Sequence, residues 1–158
     1  MNFILRKATK DDSDFLFILR NEESVRAVSL NSDPISRETH ERWFEKKLND
    51  KSSLVCIAET EGGEKIGQVR YDVLREEAEA SIAIAGRFRG KGYGVPVLTR
   101  SVALFWELFQ EVTKIQAFIN LDNEVSLRVF GRAGYQSVGT STKGGLLRNE
   151  MILKRPPR

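Results

Sequence analysis

Arg89-Gly90-Lys91-Gly92-Tyr93-Gly94 stands between a strand of small residues, Ala80-Ser81-Ile82-Ala83-Ile84-Ala85, and an apolar helical stripe that begins at Val95. Alternating glycines let the backbone turn through positive φ, so that successive N–H groups converge on one point. A helix opening there adds its unpaired first-turn amides and the positive end of its dipole. The combination predicts a strand–loop–helix unit built to hold an anion. A phosphate-bearing ligand is the first inference, and a glycine-rich turn with no ligand is the competing reading.

Spacing narrows the ligand. Three residues separate Gly86 from Gly90 where a P-loop has four, and Lys91 is followed by Gly92 where the P-loop carries its magnesium-binding Ser or Thr. A dinucleotide fingerprint needs a third glycine where Val95 stands. What remains is Arg89-x-x-Gly92-x-Gly94.

With 158 residues, 41% of them hydrophobic, the chain is long enough for one domain with a substantial core and too short for two. A single domain over residues 1–158 is expected, with Lys154-Arg155-Pro156-Pro157-Arg158 as a flexible tail. Cys56, the single cysteine, sits in a strand-like apolar run and has no disulfide partner, which fits a reducing cytosol. No apolar stretch approaches the ~18 residues of a membrane span, and the amino terminus is too short in apolar residues for a secretory signal. A cytoplasmic protein is expected, with no membrane partner. A net charge of +3 spread through the chain gives little basis for nucleic-acid binding, and no metal-ligand cluster is present.

Strand and helix patterns alternate. Phe3 to Ala8 reads as a strand, and Thr9-x-x-Asp12 as a capping box opening a helix to Asn21 with Phe15, Leu16 and Leu19 on one face. After the loop Asn31-Ser32-Asp33-Pro34, Ser36 caps a helix with the stripe Trp43, Phe44 and Leu48. Leu54–Glu59 and Lys65–Val73 form a hairpin around Glu61-Gly62-Gly63-Glu64. Ala78 to Ala85 alternates, with Glu79, Ser81 and Ala83 on one face. Val95, Leu98, Val102, Phe105 and Phe109 mark the long helix, with Pro96 in its first turn. Lys114–Asn120 is a strand, Asp122–Ala133 a helix ended by Gly134, and Tyr135–Thr140 with Leu146–Lys154 a last hairpin. The sum is an α/β fold, a mixed sheet with helices on its faces.

Asn123-x-x-Ser126-x-x-x-Phe130-x-x-x-Gly134-Tyr135 is the second motif, placing Asn123, Ser126 and Phe130 on one helix face. Alone it also reads as a cap, a core residue and a stop. Arg89-x-x-Gly92-x-Gly94, however, resembles the pyrophosphate loop of the GNAT superfamily of acetyl-CoA-dependent N-acetyltransferases, patterned Gln/Arg-x-x-Gly-x-Gly/Ala, and the second motif follows it as in that family. The resemblance covers nearly the whole chain. It implies a mostly antiparallel mixed sheet splayed between two strands, with helices on both faces.

The resemblance further implies acetyl-CoA in a gap between the strands of Ala78–Ala85 and Lys114–Asn120. Its pantetheine arm would pair with Ile82, Ala83 and Ile84, and its pyrophosphate would rest on the amides of Arg89, Gly90, Lys91, Gly92, Tyr93 and Gly94. Asn123, Ser126 and Phe130 would contact it from across the gap. An amine acceptor would attack the thioester directly, with a backbone N–H near Ala83 as oxyanion donor. Glu79 is the candidate base, against a solvated glutamate beside Glu76 and Glu77. Phe130 stands where many members carry a tyrosine acid, which leaves the thiolate unprotonated or Tyr135 or Tyr93 as donor, Tyr135 also reading as structural.

The acceptor side is expected from Leu19-Arg20-Asn21, Val25-Arg26, Ser29-x-Asn31 and Ile35 to Phe44. Followed by Gly67-Gln68-Val69-Arg70-Tyr71-Asp72, this looks like the subgroup that acetylates nucleotide-linked amino sugars, as in pseudaminic-acid biosynthesis. Arg26 and Arg70 would meet phosphates and Trp43 a ring, with His40 beside them. Trp43 and Phe44 also read as core, and His40 as a packing or hydrogen-bonding residue. A protein or peptide N-acetyltransferase and a noncatalytic acyl-CoA-binding module stay open, as does a homodimer.

Overall fold

The computed structural model describes residues 1–29 and 32–158. Seven strands alternate with five helices among them: β1 (Ile4–Lys7), α1 (Ser13–Asn21), α2 (Glu23–Arg26), α3 (Arg37–Asn49), β2 (Ser53–Glu59), β3 (Lys65–Leu74), β4 (Glu77–Ile84), α4 (Gly94–Leu108), β5 (Lys114–Asn120), α5 (Glu124–Arg132), β6 (Gln136–Lys143) and β7 (Leu146–Lys154). The short α2 has no counterpart in the sequence reading. The strands form one sheet in the order β1-β2-β3-β4-β5-β7-β6. Every neighbouring pair is antiparallel except β4 and β5. This is the mixed, mostly antiparallel α/β fold expected, and no helix among the described residues is long and apolar enough to cross a membrane.

Register assigns the two faces. Tyr71 lies opposite Ala80 and Val69 opposite Ile82, and this face packs against α4 and α5. Tyr71 is fully buried, its hydroxyl 2.7 Å from Ser101 Oγ of α4 and its ring 4.5 Å from that of Phe105. On the other face lie Asp72 and Glu79, Arg70 and Ser81, Gln68 and Ala83. There Val55 and Ile57 of β2 pack with Leu16 of α1 and Phe44 of α3. These two helices cover only the β1–β3 side of that face, so the half built from β4, β5, β7 and β6 carries polar side chains.

Two predicted stripes shift. On α4 the buried residues are Val97, Leu98, Ser101, Val102 and Phe105, while Val95 and Phe109 lie at the margins. Ser101 is tolerated there because Tyr71 supplies its partner and Leu98 O accepts its hydroxyl. On α3 the inner face is His40, Trp43 and Phe44, and Leu48 is exposed. The expected free tail is also tied down. Arg155 N–H extends the sheet to Thr113 O at 2.8 Å, its guanidinium lies 4.4 Å from the Trp106 ring and donates to Val112 O, Trp106 O and Phe109 O. Arg158 donates to Gln110 O. These bonds satisfy carbonyls at the end of α4 and in the segment joining it to β5.

Asp12 closes the first turn after β1. It is fully buried and accepts from both terminal nitrogens of Arg6 at 2.8 Å, from Lys65 Nζ at 2.8 Å and from Thr9 N at 2.7 Å. Burial alone would raise its pKa, but hydrogen bonds from Arg6, then Lys65 and Thr9, hold it well below the usual carboxylate range. A carboxylate depressed on folding contributes stability that is complete above the unfolded value near pH 4 and is lost as pH falls toward the folded pKa. Asp12→Asn is expected to cost about 3–5 kcal/mol at neutral pH and to flatten the loss of stability below pH 4. Urea unfolding from pH 3 to 7 checks both, and an acid limb unchanged in the variant would remove Asp12 from this role.

Candidate active site

Parallel pairing between β4 and β5 lasts for three residue pairs, Glu77 with Lys114, Ala78 with Ile115 and Glu79 with Gln116. Both strands then run on, to Ile84 and Asn120, so a gap opens between their carboxyl ends. Alternate residues of a strand turn their backbone polar groups to opposite edges. Ala85 N–H donates to Ile66 O at 2.8 Å, and Gln68 lies opposite Ala83. Ser81 and Ala83 therefore bond toward β3, while Ile82 and Ile84 present their backbone groups to the gap. This corrects the expectation for Ala83: its N–H belongs to the β3–β4 ladder, and the amides free to polarise a carbonyl in the gap are those of Ile82 and Ile84. Ile84 O, also on the gap side, accepts Arg89 Nε at 2.9 Å.

The loop beyond β4 is an amide cradle. Arg89 N–H donates to Gly86 O, and the α4 ladder begins with Val97 N–H to Tyr93 O. Between them the N–H groups of Gly90, Lys91, Gly92, Tyr93, Gly94 and Val95 donate to no acceptor among the described residues. Gly90 and Gly92 supply the turn, with φ of 71° and 84°. Gly94 acts differently: a Cβ there would lie 3.2 Å from Val129 of α5, so its role is close helix approach. Tyr93 packs edge-on against Phe88 and Phe3, which fixes the loop and leaves its ring a structural part. Arg89, expected to give its amide, instead ties the loop to β4 with its side chain.

Across the gap, Asn123 Oδ1 accepts from Ser126 N at 3.2 Å and caps α5, so its side chain already has a structural partner. Phe130 is 3% exposed and lies edge-on to Tyr135, with ring centroids 4.9 Å apart. It is a core residue, which corrects the coenzyme contact expected of it. The Tyr135 hydroxyl is buried without a partner, and burial, with Tyr71 adding, pushes its phenol far above the usual value. Tyr135 is 3% exposed and packed edge-on to Phe130, which makes it a core residue.

On the polar face, Glu79 sits at the last paired residue before the gap, ion-paired with Lys143 Nζ at 3.4 Å. Trp43 carries two guanidinium groups, those of Arg20 and Arg70, each 5.2 Å from its ring centroid. Arg70 Nε donates to Asp72 at 3.0 Å, and Asp72 also accepts from Lys47 and Ser53. Two expected acceptor residues are elsewhere. Arg26 donates to Asn21 O and Ser32 O and braces the corner after α1. His40 is fully buried, bonded through Nε2 to Ser13 O and stacked on Phe44. Burial lowers its pKa, against hydrogen bonding to Ser13, so it is a neutral packing residue. Asn31 lies outside the described residues. Sequence reasoning placed Arg20 in the acceptor-side segment and gave it no role of its own, although its spacing of four from buried Leu16 places it on the inner face of α1. A groove of about 600 Å³ runs from Phe15, Ile18 and Glu22 to Ala85, Gly86 and Arg87, on the β3 side of β4. Among the described residues no group of His, Cys, Asp or Glu side chains is set to hold a metal.

Residues 2–136 match the family model described as acetyltransferase (GNAT) domain. A search of curated proteins found no match. Among solved structures, the fold is similar to that of spermidine N-acetyltransferase from Vibrio cholerae in complex with CoA and spermine, with a TM-score of 0.85, 19% identity and coverage of 97% of this chain and 95% of that one. It is also similar to the aminoglycoside acetyltransferase AAC(6')-Ib in complex with coenzyme A, with a TM-score of 0.83, 21% identity and coverage of 98% and 95%.

If the amides of 90–95 are an anion cradle, Gly92→Ala strains a left-handed position by about 1–2 kcal/mol and should also weaken inorganic pyrophosphate binding at least tenfold. Gly63→Ala provides the control, since its φ of 87° lies in the remote β2–β3 turn: comparable loss of melting temperature, unchanged pyrophosphate affinity. Equal affinity in both variants, measured by calorimetry, would reduce the loop to a turn.

Proposed function

Since the chain belongs to the GNAT acetyltransferase family, we propose that it works as an acetyl-CoA-dependent N-acetyltransferase on the primary amine of a nucleotide-linked amino sugar. The observation that carries the coenzyme reading is the run of six unengaged N–H groups entering α4 beside the β4–β5 gap. A pyrophosphate supplies acceptors for such a run and sits at the positive end of the helix dipole. The pantetheine arm is an extended amide chain, and the free edge of β4 at Ile82 and Ile84 offers it a strand to pair with.

Direct transfer follows from this placement. The thioester carbonyl lies against the gap edge of β4, where the Ile82 or Ile84 N–H donates to the developing oxyanion. The amine approaches from the face of Ser81 and Ala83, whose small side chains leave it room. Glu79 is three residues before Ile82, about 10 Å along a strand, so it takes the amine's proton through water; as the oxyanion collapses the C–S bond breaks, CoA leaves as its thiolate and the proton held at Glu79 returns through water to the sulfur. Coenzyme and amine held together replace a bimolecular encounter, which supplies much of the acceleration.

The acceptor class rests on the charges of the polar face. Two of its carboxylates are paired with cations, Asp72 with Lys47 and Arg70 and Glu79 with Lys143, while Glu150 is held by the neutral Gln116 and Ser141. A polyamine or aminoglycoside needs anionic partners for several ammonium groups, whereas a nucleotide-linked sugar brings its own negative charge to Arg70. Free thiol release from acetyl-CoA is expected with a UDP-linked 4-amino-sugar and not with spermidine or kanamycin, and turnover of either polycation at a higher kcat/KM would overturn this acceptor class. Glu79→Gln should lower kcat about 100-fold and leave acetyl-CoA affinity within twofold. An unchanged kcat would clear Glu79 of the role.

A further inference from the structure

Trp43 does something on this face that aromatic residues at helical spacing do not ordinarily do: it holds two like charges close together. Arg20 from α1 and Arg70 from β3 approach the same indole ring at the same distance, 5.2 Å from its centroid. The ring's negative face offsets part of the repulsion between them. It does not remove it, because burial and then the charge of Arg70 both work against the charged form of Arg20.

Local carboxylates do not balance these cations. Among the described residues Asp72 is the one carboxylate bonded to Arg70, and it is shared with Lys47. Among the described residues, the side chain of half-buried Arg20 has no hydrogen bond or ion pair; its contact is with the ring of Trp43. Structural arginines at this depth normally end on a carboxylate or a carbonyl, as Arg6 does on Asp12 and Arg155 on three carbonyls of this chain. One step along the same face, at the position opposite Ala83, Gln68 Oε1 is buried with no hydrogen-bond donor among the described residues. The face thus offers a pair of planar cations and, nearer the thioester edge, an acceptor waiting for a donor.

Resting on the reading of a nucleotide-linked acceptor, we propose that Arg20 and Arg70, held side by side by Trp43, grip the acceptor's diphosphate. Two guanidinium forks in one place suit a diphosphate, whose oxygens outnumber those one arginine can engage. Its charge relieves the repulsion between Arg20 and Arg70. The sugar, one bond further on, then reaches toward Gln68, where a hydroxyl or the amine itself donates to the free oxygen. Trp43 on this account is the support for the cations, not the stacking partner of a base, and Arg20 takes the place expected of Arg26.

The test uses UDP, which has the diphosphate and no amine, titrated calorimetrically into the protein saturated with CoA so that the amide cradle is occupied. Saturable binding to the wild type is expected, weakening with added salt, together with a loss of at least tenfold in Arg20→Gln and much weaker binding of uridine. Arg20 has no side-chain hydrogen bond to lose, so the variant's melting temperature should match the wild type, and Arg26→Gln should bind UDP as the wild type does. UDP affinity equal in wild type and Arg20→Gln, absent from the wild type, or lost in Arg26→Gln instead, would overturn the proposal. Acetyl-CoA titrated into the same proteins separates the two readings. Coenzyme bound alike by all while UDP fails convicts the diphosphate subsite alone; coenzyme bound by none overturns the transferase reading and this one with it.

Discussion

Parallel pairing of β4 with β5 ends after three residue pairs, and the rest of the molecule is arranged around that interruption. Two strands that continue without pairing leave N–H and C=O groups facing each other across a space too wide for a hydrogen bond. Buried backbone groups cannot be left so at no cost. A sheet normally solves this by closing the gap or covering the edge. Here the edge at Ile82 and Ile84 stays open, with one carbonyl occupied by Arg89. An extended amide-containing ligand is the economical solution, because it repairs the ladder with its own groups.

The helical face keeps the gap from collapsing. α4 begins where the loop ends and lies across β3 and β4 through the Tyr71–Ser101 bond and the Tyr71–Phe105 stack. α5 is drawn against the start of α4 where Gly94 admits Val129. The α4 end is closed by Arg155, from beyond the last strand. Sequence-distant contacts thus fix the first turn of α4, and only a fixed first turn can present six amides to one anion without an ordering cost on binding.

What could be read from the sequence was local. Thr9-x-x-Asp12 and Ser36 cap where their spacing placed them, the Gly62-Gly63 turn joins β2 to β3, and Gly90 and Gly92 take positive φ, because each depends on residues within a turn of chain. Misplacements came wherever the answer lay in register or packing. Alternation along β4 separates Ser81 and Ala83 from Ile82 and Ile84, but only the bond from Ala85 to Ile66 says which set faces the gap. Phe130 and His40 are as polar or apolar in sequence as in the fold. It is Tyr135 in one case and Ser13 with Phe44 in the other that claim them for the core. Arg20 and Arg26 are equally basic letters six residues apart, and what separates them is that the backbone turns after Asn21, sending one toward Trp43 and the other back to the corner.

On the proposed reading, that last distinction bears on how one fold takes acceptors of opposite charge. The gap, the cradle and the free edge of β4 are backbone features, so they place no demand on the acceptor and constrain only the coenzyme. Acceptor choice is left to side chains on the opposite sheet face, which α1 and α3 cover incompletely. Salt bridges there have a dual effect. Lys47 and Arg70 neutralise Asp72, and Lys143 neutralises Glu79, so the carboxylates that would draw in a polycation are already screened at short range. Arg20, with no ion pair among the described residues, adds positive charge to that face. On the proposed reading, side-chain changes on that face alter its charge without touching the backbone edge of β4, which makes specificity on this scaffold separable from chemistry.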